Sequence, residues 1–127
     1  MQSDPFSRQP VIRTIAMPAD TNPAGDIFGG WLMGQMDLAA ASAAVQRTRC
    51  RVATVAVDRM TFLAPVRVGD EVSIFAKVVR IGRTSIDVEV EAWRRTSGNE
   101  LPVQVTHARF TCVALDANGR PQPVAPE

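Results

Sequence analysis

The sequence is short of the residues that announce the commonest chemistries. It holds two cysteines, Cys50 and Cys112, and a single histidine, His107. The cysteines show neither a Cys-x-x-Cys pattern nor metal-ligand spacing, so no metal site is expected. Each reads as a small buried or half-buried thiol in a reducing compartment. His107 sits between Thr106 and Ala108 in strand-like sequence and reads as a surface or hydrogen-bonded residue. Excess charge is missing too: the formal net charge is +1, with arginines scattered among acids. That balance gives no case for nucleic acid or an anionic membrane as partner. There is no Gly-x-Ser-x-Gly elbow, Walker A loop or dinucleotide fingerprint. Internal repeats and low-complexity segments are also absent. The first ten residues carry Asp4, Pro5 and Pro10 without an apolar core, so no signal peptide is expected and the cytoplasm is the expected compartment. The apolar run from Ile27 to Val45 is interrupted by glycines, Gln35 and Asp37 and is dominated by alanine, which argues against a membrane span.

What is present fits one folded unit. A chain of 127 residues with 46% hydrophobic content can bury a real core. The expected organisation is a single domain over residues 1–127, with a flexible tail at 1–10 and an irregular tail at 120–127. Val11–Ala16 suits a short strand, and Asp20–Asp26 is a loop dense in turn formers. A helix rich in Ala, Leu and Met follows, opened by Gly29-Gly30 and running to Val45–Thr48. The period then changes. Arg51–Phe62 suits a strand, and Pro65 and Gly69-Asp70 break the chain. Glu71–Ile81 and Ser85–Arg94 alternate, with Val72, Ile74, Ala76 and Val78, then Ile86, Val88, Val90 and Ala92, on one face. Ser97-Gly98-Asn99 marks a hairpin turn and Val103–Leu115 a last strand. Hairpin connections make the sheet antiparallel, and the lone apolar helix must bury itself against it, so the class is α+β. An edge strand left open would favour dimerisation.

Asp37 is the only charged residue between Asp26 and Arg47. At about 100° per residue, Gln35, Ser42 and Gln46 share one stripe, and Asp37 lies roughly 140–200° away from them. With that stripe toward water, Asp37 is expected to face the interior, where a carboxylate is costly unless partnered and is a candidate for chemistry. The plainer alternative is a solvated surface acid.

The segment from Ala16 to Asp37, with its Asn22-x-x-Gly25-Asp26-x-x-Gly29-Gly30 pattern set before the helix, resembles the hotdog-fold acyl-CoA thioesterases, specifically the YciA-like subfamily. Thr54–Asp70, Gly82–Ser85 and the closing strand share the resemblance, which covers Arg13 to Pro121. It implies an antiparallel sheet of five to six strands wrapped around one central helix. It also implies hydrolysis of acyl-CoA, with coenzyme A part of substrate and product and no separate cofactor or metal. The matching acid, Asp37, would be catalytic, at a site shared across a homodimer, with a trimer of dimers expected.

The residues suit that chemistry. Free N–H groups of Gly29 and Gly30 at a helix start can polarise a thioester carbonyl, and Asp37 can act as general base or nucleophile. Asp26 could orient substrate or water, or simply cap the helix. Asn22 is a substrate-binding candidate or a turn residue. Arg83, Thr84 and Ser85, with Arg59 and Arg80 behind them, are candidates for the phosphates of coenzyme A. Trp31, Met33, Met36 and Phe62 could line an acyl pocket or be ordinary core. A hydratase or dehydratase would need a histidine near the helix, which is lacking. A non-catalytic acyl-CoA-binding module is the remaining alternative.

Overall fold

The computed structural model describes residues 8–96, 98 and 101–127. Residues 1–7 of the expected N-terminal tail, and residues 97 and 99 of the expected hairpin turn, lie outside the described residues. Five strands, β1 (Ile12–Ile15), β2 (Arg51–Phe62), β3 (Glu71–Ile81), β4 (Ser85–Arg95) and β5 (Val103–Leu115), form one antiparallel sheet in the order β1-β3-β4-β5-β2. One long helix, α1 (Gly29–Thr48), packs across it.

The alternation read from the sequence sets the inner face. Val72 and Ile74 of β3, Ile86, Val88, Val90 and Ala92 of β4, and Val105, Ala108, Phe110, Cys112 and Ala114 of β5 are buried together. The helix meets them with Leu32, Met36, Ala39, Ala40 and Ala44. Alanine at three of these five positions lets the helix lie close to the sheet. The outer face is polar: Glu89 pairs with Arg109 at 3.0 Å, and Glu71 with Arg95 at 2.8 Å. Arg8 is bound to this face, its guanidinium 3.1 Å from Glu91 and 4.2 Å from the Phe75 ring centroid.

The C-terminal segment is irregular but held. The Val124 N–H donates to the Arg83 carbonyl at 2.8 Å, and the Gln122 N–H to that of Ala114 at 2.9 Å. Cys112 is buried and Cys50 half-buried, as expected of unpaired thiols.

The sheet has two unlike edges. β1 is four residues long, whereas β2 runs for twelve and, among the described residues, pairs only with β5. Val55, at 60% exposure, and Val57 leave the β2 edge both open and apolar. The helix repeats the theme. Opposite its buried stripe it exposes Gly34, Leu38 and Val45, with Leu38 at 61%. A helix apolar on both faces is built to be covered on both.

Candidate active site

The site grows from the loop before α1. The Asn22 side chain organises it: its Oδ1 accepts the N–H groups of Ala24 and Asp26, both at 3.0 Å. The backbone closes the same turn, the Asn22 N–H donating to the Asp26 carbonyl at 2.7 Å and the Gly25 N–H to that of Asn22 at 2.9 Å. Gly25 takes φ +91, which glycine tolerates without strain.

Of the two roles open to Asp26, capping the helix is excluded. The N-cap is Phe28, which offers no side-chain acceptor. Asp26 lies two positions earlier, its backbone held by Asn22, and it is exposed. The helix therefore opens uncapped. Among the described residues, the N–H groups of Gly29 and Gly30 have no hydrogen-bond partner. Two unpaired donors at the positive end of a twenty-residue helix favour a developing oxyanion.

Gly29, the first of these donors, borders a cavity of about 470 Å³ between the helix start and the chain that follows β2. Asp26, Phe28, Gly29 and Leu32 line one side; Phe62, Leu63 and Val105 are on the other. Its walls are apolar, with Asp26 the one charged lining residue.

Asp37 is also corrected. It is exposed in the described chain rather than turned inward. The Gln35–Ser42 stripe is half-buried at one flank of the helix, and Asp37 is at the other, beside β2. The most outward line between them is apolar, so the polar stripe was a poor guide to orientation. Asp37 is nevertheless partnered: the Thr54 hydroxyl of β2 donates to its Oδ1 at 2.5 Å. Thr54 Oγ1 also lies 3.8 Å from Cys112 Sγ. Burial pushes the Cys112 thiol up, and the Asp37 charge adds to that against the opposing Thr54 contact. Cys112 is thus a protonated packing group rather than a nucleophile.

One chain does not bring all these parts together. At 1.5 Å per residue, Asp37 is about 12 Å along the helix axis from Gly29, too far to act on the same carbonyl. The hairpin Arg83-Thr84-Ser85 is more distant still. Ser85 pairs with Val113 and Arg51 with Leu115, so this hairpin sits where β2 begins. The cavity sits where β2 ends, at Phe62. Arg59, in a left-handed conformation (φ 55) at a bulge of β2, lines a depression on the outer sheet face with Glu89, His107 and Arg109. Arg80 is exposed and lies 3.9 Å from Asp87.

Of the acyl-pocket candidates, only Phe62 lines the cavity. Met36 is fully buried in the core, Trp31 packs against it, and Met33 is exposed on the helix. Thr54 was not anticipated, nor were Leu63 and Val105. A hydroxyl within the apolar run Val52–Val57 was the one signal for Thr54. Among the described residues no cluster of three or more His, Cys, Asp or Glu side chains could hold a metal ion. Nor is any described helix long and apolar enough to cross a membrane.

Residues 24–100 match the family model described as Thioesterase superfamily. The chain is 49% identical over 118 residues to the acyl-CoA thioester hydrolase YciA of Salmonella typhimurium, covering 90% of this chain and 88% of that protein. A hexameric thioesterase from Yersinia pestis superposes with a TM-score of 0.89 at 46% identity, over 94% of this chain and 97% of its own. An acyl-CoA hydrolase from Staphylococcus aureus, solved with butyryl coenzyme A and coenzyme A, superposes with a TM-score of 0.83 at 32% identity, over 89% and 69%.

Proposed function

The chain belongs to the thioesterase superfamily, and from that premise we propose that it hydrolyses acyl-CoA to a free carboxylic acid and coenzyme A. The observation that carries the reading is the division of the machinery along one helix. Unpaired N–H groups open over an apolar cavity at Gly29, and a carboxylate held by Thr54 sits two turns further on. A second copy completes the site. Two β2 edges pairing antiparallel around a two-fold axis would cover Val55, Val57 and Leu38, burying the apolar surface a lone chain exposes. That pairing inverts one protomer against the other, so the glycine loop of one faces Asp37 of its partner. It also carries the Arg83-Thr84-Ser85 hairpin of the partner to the cavity end, where arginine and hydroxyls can meet the phosphates of coenzyme A. Similar proteins crystallise as hexamers, and the assembly proposed here is a trimer of such dimers.

In the reaction, the acyl carbonyl oxygen accepts from Gly29 and Gly30, which stabilise the tetrahedral oxyanion. Asp37 either takes a proton from the attacking water or attacks the carbonyl carbon itself, giving an acyl-aspartyl anhydride that water then cleaves. In both routes the carbon–sulfur bond breaks and the thiolate leaves to be protonated. Thr54 fixes the carboxylate's orientation, Asn22 shapes the loop, and Asp26 stands at the cavity mouth beside the incoming ester. Coenzyme A is part of substrate and product, so no further cofactor is required. We assign the enzyme to the cytoplasm.

The test is thiol release from a panel of acyl-CoA esters, short to long and including an aryl ester, with Asp37→Ala alongside. The parent is expected to turn over, and Asp37→Ala to fall by about 10²–10⁴-fold with fold and oligomeric state intact. Full activity in a folded Asp37→Ala protein would overturn the assignment. Coenzyme A ester binding by the parent without any hydrolysis would make this a binding module.

A further inference from the structure

The two glycines that open the helix are not equivalent. A Cβ built on Gly30 meets nothing within 4 Å. One built on Gly29 would lie 3.3 Å from Cζ of Phe62 and 3.6 Å and 3.9 Å from its two Cε atoms. The tip of the Phe62 ring therefore rests against the first turn of the helix, at the point where the unpaired N–H groups begin. Phe62 is the last residue of β2 and its ring borders the cavity that starts there. Behind it, Leu32, Val66 and Val105 are buried at 6% exposure or less and belong to the core. They form a fixed floor. Phe62 is 48% exposed in the lone chain, comparable to Phe28 at 49% and Leu63 at 56% on the same cavity, and it is the ring that touches Gly29, so it is the side chain of the wall set against the reacting carbonyl.

We propose, resting on the thioesterase reading above, that Phe62 seated on Gly29 sets the length and bulk of the acyl group that the cavity accepts. An ester whose carbonyl oxygen is held at Gly29 and Gly30 must direct its first methylenes past this ring. Gly29 then has two tasks: it offers an N–H to the oxyanion, and by lacking a Cβ it leaves the ring its seat. The apolar walls fit hydrocarbon acyl chains, each buried methylene adding about 0.8 kcal/mol, or roughly four-fold in affinity.

The experiment compares the parent with Phe62→Ala, Phe62→Trp, Gly29→Ala and the Gly29→Ala/Phe62→Ala double variant. For each, kcat/KM is measured on straight-chain acyl-CoA esters from acetyl to palmitoyl and on benzoyl-CoA. Dissociation constants are measured on S-alkyl-CoA thioethers of the same lengths, which cannot be hydrolysed. Phe62→Ala is expected to raise the long-to-short ratio at least ten-fold in both readouts, and Phe62→Trp to lower it. Inhibition by free coenzyme A should stay unchanged. Gly29→Ala should alter the length profile in the parent but not when Phe62 is already alanine, the non-additivity expected of touching groups. Circular dichroism and size-exclusion chromatography show which variants are folded and assembled. Unchanged profiles in folded Phe62→Ala and Phe62→Trp would overturn the inference while leaving hydrolysis in place. An inert parent whose thioether affinities shift with Phe62 would overturn the hydrolase reading and leave the ring's role standing.

Discussion

The two ends of α1 are finished in opposite ways. At the C-terminal end, Arg49 adopts a left-handed conformation (φ 59) and its N–H closes on the Val45 carbonyl at 2.7 Å. The Thr48 hydroxyl donates to the Ala44 carbonyl at 2.9 Å. Arg47 places a positive charge in the last turn and donates to the Ala125 carbonyl at 3.0 Å, fastening the C-terminal segment to the helix. At the N-terminal end the chain does none of this. Glycines replace good helix formers, no side chain among the described residues caps, and no acid sits in the first turn. A side-chain acceptor there would typically stabilise the helix by about 1 kcal/mol. It would also occupy the donors that a substrate oxyanion needs. The contrast shows where stability has been forgone, and the place is where the chemistry is proposed to happen.

The sharpest way to break the contrast is to remove one N–H, with a second variant to control for the added side chain. Gly30→Pro deletes a donor in the first turn, where proline is tolerated and a Cβ meets nothing within 4 Å. It is expected to lower kcat by about 10²–10³-fold with little change in Tm. Gly30→Ala keeps the donor and should retain activity while slightly raising Tm, because alanine is the better helix former. Equal losses in the two variants would mean that the backbone shape, not the donor, matters. Next in size is the exposed middle of the helix. Leu38→Glu puts a charge on the face expected to be covered by a partner. It should cut activity more than ten-fold at fixed protomer concentration, in step with dissociation seen by sedimentation. Full activity from a monomeric Leu38→Glu protein would refute the shared site. The smallest effect belongs to the closed end. Arg47→Ala should lower Tm by about 2–4 °C and leave kcat/KM unchanged; a large kinetic effect there would erase the distinction between the ends.

The parts of this molecule that were legible in the sequence are those with a strong local period. β3 and β4 alternate cleanly, and Val72, Ile74, Ile86, Val88 and Val90 face inward as the pattern requires. The order of one helix and five strands followed from the turn signals between them. The helix's orientation did not follow, because a helix apolar on two faces carries no period to read. The Gln35–Ser42 line looked like its solvent side, when Leu38 and Val45 are its outward residues. The loop motif was readable as a pattern. Its internal wiring was left open: Asp26 could have been a cap and is not, and of the roles open to Asn22 the structure shows the one that holds the turn. Thr54 and Val105 were out of reach for another reason. They meet Asp37 and the cavity only through the fold, and alternation along a strand fixes a side chain's face without naming what stands opposite.

The roughly 12 Å that separates Gly29 from Asp37 on one helix has a genetic reading. In the proposed dimer each site draws its glycine loop from one protomer and its acid from the other. A chain carrying Asp37→Ala and a chain carrying Gly30→Pro are then each inactive alone, yet each still holds the half that the other lacks. When the two are mixed and reassembled, a heterodimer contains one intact site and one doubly defective site. With random pairing in equal amounts, about a quarter of the parent activity should return. Two dead alleles would thus complement one another within a single gene product, and activity would belong to the pair rather than to the chain.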